Sequence, residues 1–121
     1  FHAGESTVSM PRQLPYSKAM ELLLTGDLIT AREALDFGFL NYVVPDDEVL
    51  PKAREIAAKI AANGPVAVRA IRKSARACLG RPESEGLDME LAFAKPVFET
   101  EDAVEGPRAF MEKRDPQFKG R

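Results

Sequence analysis

Few side chains in this sequence are both chemically able and placed for chemistry. His2 is the only histidine. An imidazole can shuttle protons near neutral pH, but it needs an oriented carboxylate beside it, and the sequence shows no such partner. Glu5 has two readings. In a pocket its carboxylate would serve as an acid or base; at the surface it would complement the start of a helix. Cys78 is the only cysteine. It falls on the apolar side of a predicted helix with no base in view, which reads as a small buried hydrophobe rather than a nucleophile. Arg12, Arg69, Arg72, Lys73 and Arg76 form either a basic surface or a set of solvated charges. No metal site is expected.

The bulk numbers narrow the partners. The 121 residues carry 17 basic and 19 acidic side chains, a formal charge of −2. That balance gives nucleic acid or an anionic membrane no long-range attraction. Hydrophobic residues make up 45% and charged residues 30%, as in a soluble globular domain. No apolar run approaches the ~20 residues of a membrane span, and no secretory leader is expected. A single cysteine forbids an internal disulfide, so a reduced cytoplasmic location is expected. The first seven residues precede any helix or strand, and we expect the chain to be part of a longer protein.

Helix is the dominant signal. Ser6 or Thr7 can cap a short helix to about Gln13, limited by Pro11. A second runs from about Tyr16 to Leu24 and stops at Thr25-Gly26. Thr30 and Glu33 have capping-box spacing, and Gly38 sits where a left-handed cap belongs. Phe39–Val44 is short, aromatic and β-branched, and predicts the one strand; it has no partner in this chain. Asp46-Asp47 open a helix to about Ala62, with Ala53, Ile56, Ala57, Ile60 and Ala61 as its apolar stripe. Pro65 begins another to about Leu79, where Ala67, Ala70, Ile71, Ser74 and Cys78 share a face. A helix over about 83–98 carries Leu87, Leu91, Ala94 and Phe98, with a kink or early end expected at Pro96. Thr100 caps a short helix with Glu101 and Asp102 in its first turn, where carboxylates suit the dipole; Gly106-Pro107 should interrupt it, and a last helix covers about Pro107 to Arg114. The tail from Asp115 to Arg121 should be loose.

These residues resemble the C-terminal part of the enoyl-CoA hydratase/isomerase family, the crotonase fold. Three blocks carry the likeness, in family order and spacing. The first is Ala3-Gly4 with Ser6-Thr7 and Met10-Pro11-Arg12. The second is Met20 to Gly26, with Ala31, Glu33-Ala34, Gly38 and Val43-Val44-Pro45. The third is Phe98 to Asp102, with Glu105-Gly106, Ala109-Phe110 and Glu112-Lys113-Arg114.

The resemblance implies a mainly α chain, the C-terminal helical portion of an α/β ClpP/crotonase-like fold. Residues 1–45 would end the crotonase core, and 46–121 would form a helical trimerisation or lid region. It implies an acyl-CoA thioester substrate, with coenzyme A as part of the substrate and no separate cofactor. The expected reaction is hydration of a 2-enoyl-CoA, as in fatty acid β-oxidation, by a homotrimer or a hexamer of two trimers. Another crotonase-family isomerase or hydrolase activity is the alternative; alone, the segment would be a non-catalytic helical oligomerisation module. The two catalytic glutamates and the oxyanion loops would lie upstream, leaving this chain inactive by itself. Within it, the Ala3 backbone N–H would lie near the reacting atoms, and Glu5 departs from the family's usual small residue. Lys113 would reach coenzyme A phosphates, since an ammonium on a flexible stem is a good point-charge partner. Phe98 and Phe110 would pack the terminal helices. Ala94, with Phe93 beside it, stands where some members place an aromatic at the adenine.

Overall fold

A computed structural model of the chain describes residues 6–121. It holds seven α-helices and one 3₁₀ turn among the described residues, in two compact units divided between Val49 and Leu50.

In the first unit, α1 (Ser6–Gln13) packs on α2 (Tyr16–Thr25). Leu14 and Ala19 are buried. Gly26, at φ +73°, ends α2 by donating its N–H to the Leu22 carbonyl at 3.0 Å. The expected capping box opens α3 (Ala31–Asp36). The Glu33 N–H donates to Thr30 Oγ1 at 3.2 Å, and the Thr30 N–H donates to Glu33 Oε2 at 2.8 Å. Gly38, at φ +80°, closes the helix. Its N–H reaches the Leu35 carbonyl and the Phe39 N–H reaches that of Ala34, the two bonds of a Schellman motif.

Phe39–Val44 corrects one expectation, because it forms no strand. β-Propensity favours an extended chain, but only a neighbouring strand makes a ladder, and the described residues contain none. Phe39, Leu40, Tyr42 and Val43 are exposed.

The second unit follows a 3₁₀ turn, Asp46–Glu48. Its helices are α4 (Val49–Ala61), α5 (Pro65–Cys78), α6 (Glu83–Phe98) and α7 (Glu101–Met111). Helices α5 and α6 pack against each other. The two prolines have different outcomes. Pro96 lies inside the last turn of α6, which ends two residues later at Phe98. Gly106-Pro107 does not split α7, which runs through as one helix. A Thr100 cap before the pair, buried Ala109 after it and Phe118 against Gly106 hold both halves, and outweigh one lost ladder bond. The apolar stripe of α4 is open: Ile56 is half-buried and the other four positions are exposed.

The tail is the largest departure. Residues 117–121 fold back along the first turns of α7 instead of hanging free. Buried Asp102 accepts the Lys119 N–H on Oδ1 and the Gly120 N–H on Oδ2, both at 2.7 Å. In return the Arg121 carbonyl accepts the Glu101 N–H at 2.8 Å. A helix start has unpaired donors and the tail has unpaired donors of its own; one carboxylate and one carbonyl satisfy both sets. Gly120 takes φ +76°, and a Cβ there would stand 3.0 Å from Pro65 Cγ, so both backbone strain and crowding favour glycine.

Candidate functional site

The far end of α7 gathers the unit's most distinctive charge arrangement. The chain turns at Lys113. Its N–H donates to the Phe110 carbonyl, and the Arg114 N–H to the Ala109 carbonyl. This is a Schellman reversal with lysine in glycine's usual place. Lys113 has φ +52° and is the only non-glycine residue with positive φ among the described residues. Left-handed backbone costs an L-residue about 1–2 kcal/mol.

Its neighbour Arg114 is bonded to two carboxylates. Nη1 and Nη2 reach Glu105 Oε1 and Oε2 at 2.6 and 3.0 Å, a two-pronged fork, and Nε reaches Glu112 Oε2 at 2.6 Å. Glu105 Oε1 also accepts the Gln117 N–H at 2.8 Å. The Arg114 guanidinium, with that N–H second, lowers the Glu105 carboxyl to about 2. Arg114 and then Arg108 lower Glu112. The same bonds raise Arg114.

The other cations around this helix are taken. Arg108 pairs with Glu112, while Lys119 and Arg121 pair with Glu101. Lys113 is exposed and forms no ion pair among the described residues. An unpaired ammonium on a fixed turn is suited to bind an external anion as a point charge.

The remaining sequence candidates distribute differently. His2, Ala3 and Glu5 lie outside the described residues. Cys78 is half-buried, not fully enclosed, in an open apolar groove of about 530 Å³ between α5 and α6. Its Sγ bonds the Gly86 carbonyl at 3.4 Å and lies 3.8 Å from Ser74 Oγ. Ala67, Ala70 and Ile71 line the same groove, with Phe93 and Ala94 opposite. Arg12, Arg69, Arg72, Lys73 and Arg76 are all exposed. Phe98 and Phe110 do not pack within the chain; they are 76% and 86% exposed. Among the described residues, no group of three or more His, Cys, Asp or Glu could hold a metal ion, and no helix is long and apolar enough to cross a membrane.

Sequence reading missed Asp102, Glu105 and Arg114. Glu105 and Arg114 are nine residues apart, a spacing with no helical meaning until the chain reverses at Lys113. Asp102 was legible only as a carboxylate suited to a helix dipole.

A family profile described as enoyl-CoA hydratase/isomerase matches residues 2–121. Enoyl-CoA hydratase EchA19 of Mycobacterium tuberculosis is 49% identical over 118 residues, 98% of this chain and 44% of that protein. Carnitinyl-CoA dehydratase of Proteus mirabilis is 40% identical over 116 residues, 93% of this chain and 44% of that one. The crystal structure of enoyl-CoA hydratase from Bacillus anthracis superposes with a TM-score of 0.93 at 40% identity, over 96% of this chain and 45% of that one. The chain thus spans about 44% of the length of the curated relatives it matches. Its mainly helical architecture is the helical portion of the crotonase fold found in its structural relatives. Sequence profile, curated relatives and fold agree over nearly every residue, and the chain belongs to the enoyl-CoA hydratase/isomerase family.

Proposed function

We propose that this chain is part of an enzyme that adds water across the α,β double bond of a 2-enoyl-CoA thioester, and that Lys113 binds phosphate groups of the coenzyme A portion. The observation that carries the second part is the unpaired Lys113 ammonium on a left-handed turn, beside cations that all have carboxylate partners. Similarity to a protein named enoyl-CoA hydratase, and to one named carnitinyl-CoA dehydratase, supports hydration or its reverse over other chemistry of the family.

The carboxylates that move protons in this reaction are assigned to sequence outside the chain. Three acids of the second unit serve structure: Asp102 holds the tail, and Glu105 and Glu112 hold Arg114. A full-length protein containing this segment should hydrate crotonyl-CoA, while the 121-residue chain alone should show no turnover. Turnover by the isolated chain would overturn the placement of the acids. A full-length protein that spares crotonyl-CoA and moves the double bond of a 3-enoyl thioester would shift the reading to isomerase.

Self-association into a trimer or hexamer is part of the same proposal, with exposed apolar side chains as its support. In the second unit Leu87, Leu91, Phe98, Val104, Phe110 and Met111 are all more than half exposed.

A further inference from the structure

Lys113 projects from a backbone conformation that lysine does not choose unaided. Released from its surroundings, the residue would relax to a negative φ and carry its ammonium to a different place. Two backbone bonds set the turn, but such bonds at a helix end fray easily. The restraint beyond them is the Arg114 fork. Glu105 lies two turns back on α7 and only 19% of its side chain is exposed. It grips both terminal nitrogens of Arg114, the residue directly after Lys113. The same carboxylate takes the Gln117 N–H, so the chain is tied to α7 again four residues beyond Lys113. Glu112, directly before it, takes Arg114 Nε. Lys113 is therefore bracketed on both sides, with one carboxylate as the common anchor.

We infer that Glu105 is a positioning residue for coenzyme A recognition: through Arg114 it holds Lys113 in the left-handed turn from which its ammonium meets a phosphate. The inference rests on the proposed phosphate role of Lys113. Glu105 itself touches no substrate. Its effect is preorganisation, because a lysine whose backbone is already placed has only its side chain to order on binding.

The test compares acyl-CoA with the matching acyl-pantetheine thioester, which lacks the nucleotide phosphates, in the full-length protein. Lys113→Ala should raise KM for acyl-CoA about tenfold or more relative to its effect on the pantetheine thioester. Glu105→Gln keeps the shape and removes the charge, and should raise the same ratio about three- to tenfold. In the Lys113→Ala background the Glu105→Gln substitution should add nothing. Arg114→Lys retains charge but loses the fork, and should reproduce Glu105→Gln; it serves if Glu105→Gln fails to fold. If Lys113→Ala leaves the ratio unchanged, the phosphate reading itself falls. If Lys113→Ala acts while Glu105→Gln and Arg114→Lys do not, or if their effects add to it, Glu105 does not work through Lys113 and the positioning inference is overturned.

Discussion

Replacing Asp102 by asparagine should release the C-terminal tail while leaving the helices standing. The carboxylate accepts the Lys119 N–H and the Gly120 N–H, one on each oxygen at 2.7 Å. Asparagine keeps one acceptor and turns an amide donor toward the other N–H. One charge-assisted bond is lost, worth about 1.5–3 kcal/mol. A carboxylate in the first turn of α7 also disappears, worth about 0.3–1 kcal/mol against the helix dipole. Together these remove about 2–4 kcal/mol from tail docking. Global stability cannot fall by more than the docking energy itself, since a detached tail stops contributing. The proper reading is therefore local. Native-state amide exchange at Lys119 and Gly120 should accelerate by about 30- to 1000-fold, at 1.4 kcal/mol per decade. Amides inside α5, such as that of Ile71, should change far less. Unchanged exchange at Lys119 and Gly120 would refute the latch. Equal acceleration at Ile71 would show instead that Asp102 supports the whole unit.

Four further outcomes follow from other local contacts. Lys113→Gly should stabilise the chain by about 0.5–1 kcal/mol, because relief of the left-handed turn exceeds the added freedom of the unfolded state, yet weaken coenzyme A binding; a urea midpoint that falls together with affinity would contradict this. Thr30→Ala removes the hydroxyl that accepts the Glu33 N–H and should lower stability by about 1 kcal/mol in urea unfolding; an unmoved midpoint would deny the capping box a role. Glu105 lies at about 2 in the folded chain against an ordinary 4.5. Its contribution is complete above 4.5 and is lost as pH falls toward 2. The Gln117 amide resonance should therefore titrate with a midpoint near 2, and a midpoint near 4.5 would mean the Arg114 fork is open in solution. Glu55, lowered to about 2 chiefly by its hydrogen bonds to Lys52 and Lys59, should titrate over the same window.

Local chemistry was the legible part of this fold. The Thr30–Glu33 box, the glycines at 26 and 38, Pro65 at the first turn of α5 and the Thr100 cap all follow from rules that operate within a few residues, and each stands where its spacing places it. Failures came where distant groups decide. Pro107 reads as a helix break until Phe118 arrives against Gly106 from twelve residues beyond. The tail reads as loose because its partner, Asp102, sits 17 and 18 residues back. Phe39–Val44 has strand composition, but a ladder needs a second strand. Lys113 was legible through its family motif alone. Its left-handed turn was not, since no propensity places lysine there.

The open apolar faces of the second unit have two physical explanations, a loosely assembled unit or surfaces shaped for other protein. A loose unit should leave polar groups buried without partners, since imprecise packing strands donors and acceptors. Among the described residues no buried side-chain nitrogen or oxygen lacks a hydrogen-bond partner. Asp102, the buried carboxylate, has both oxygens occupied. Buried side-chain polar groups are thus satisfied where apolar burial is incomplete: beyond Ala109 the described residues of the unit include no hydrophobic side chain buried to the standard of a core. Defective packing would degrade both together. The separation of the two supports the proposal that Leu91, Phe98 and Phe110 belong to surfaces built to be covered by other protein.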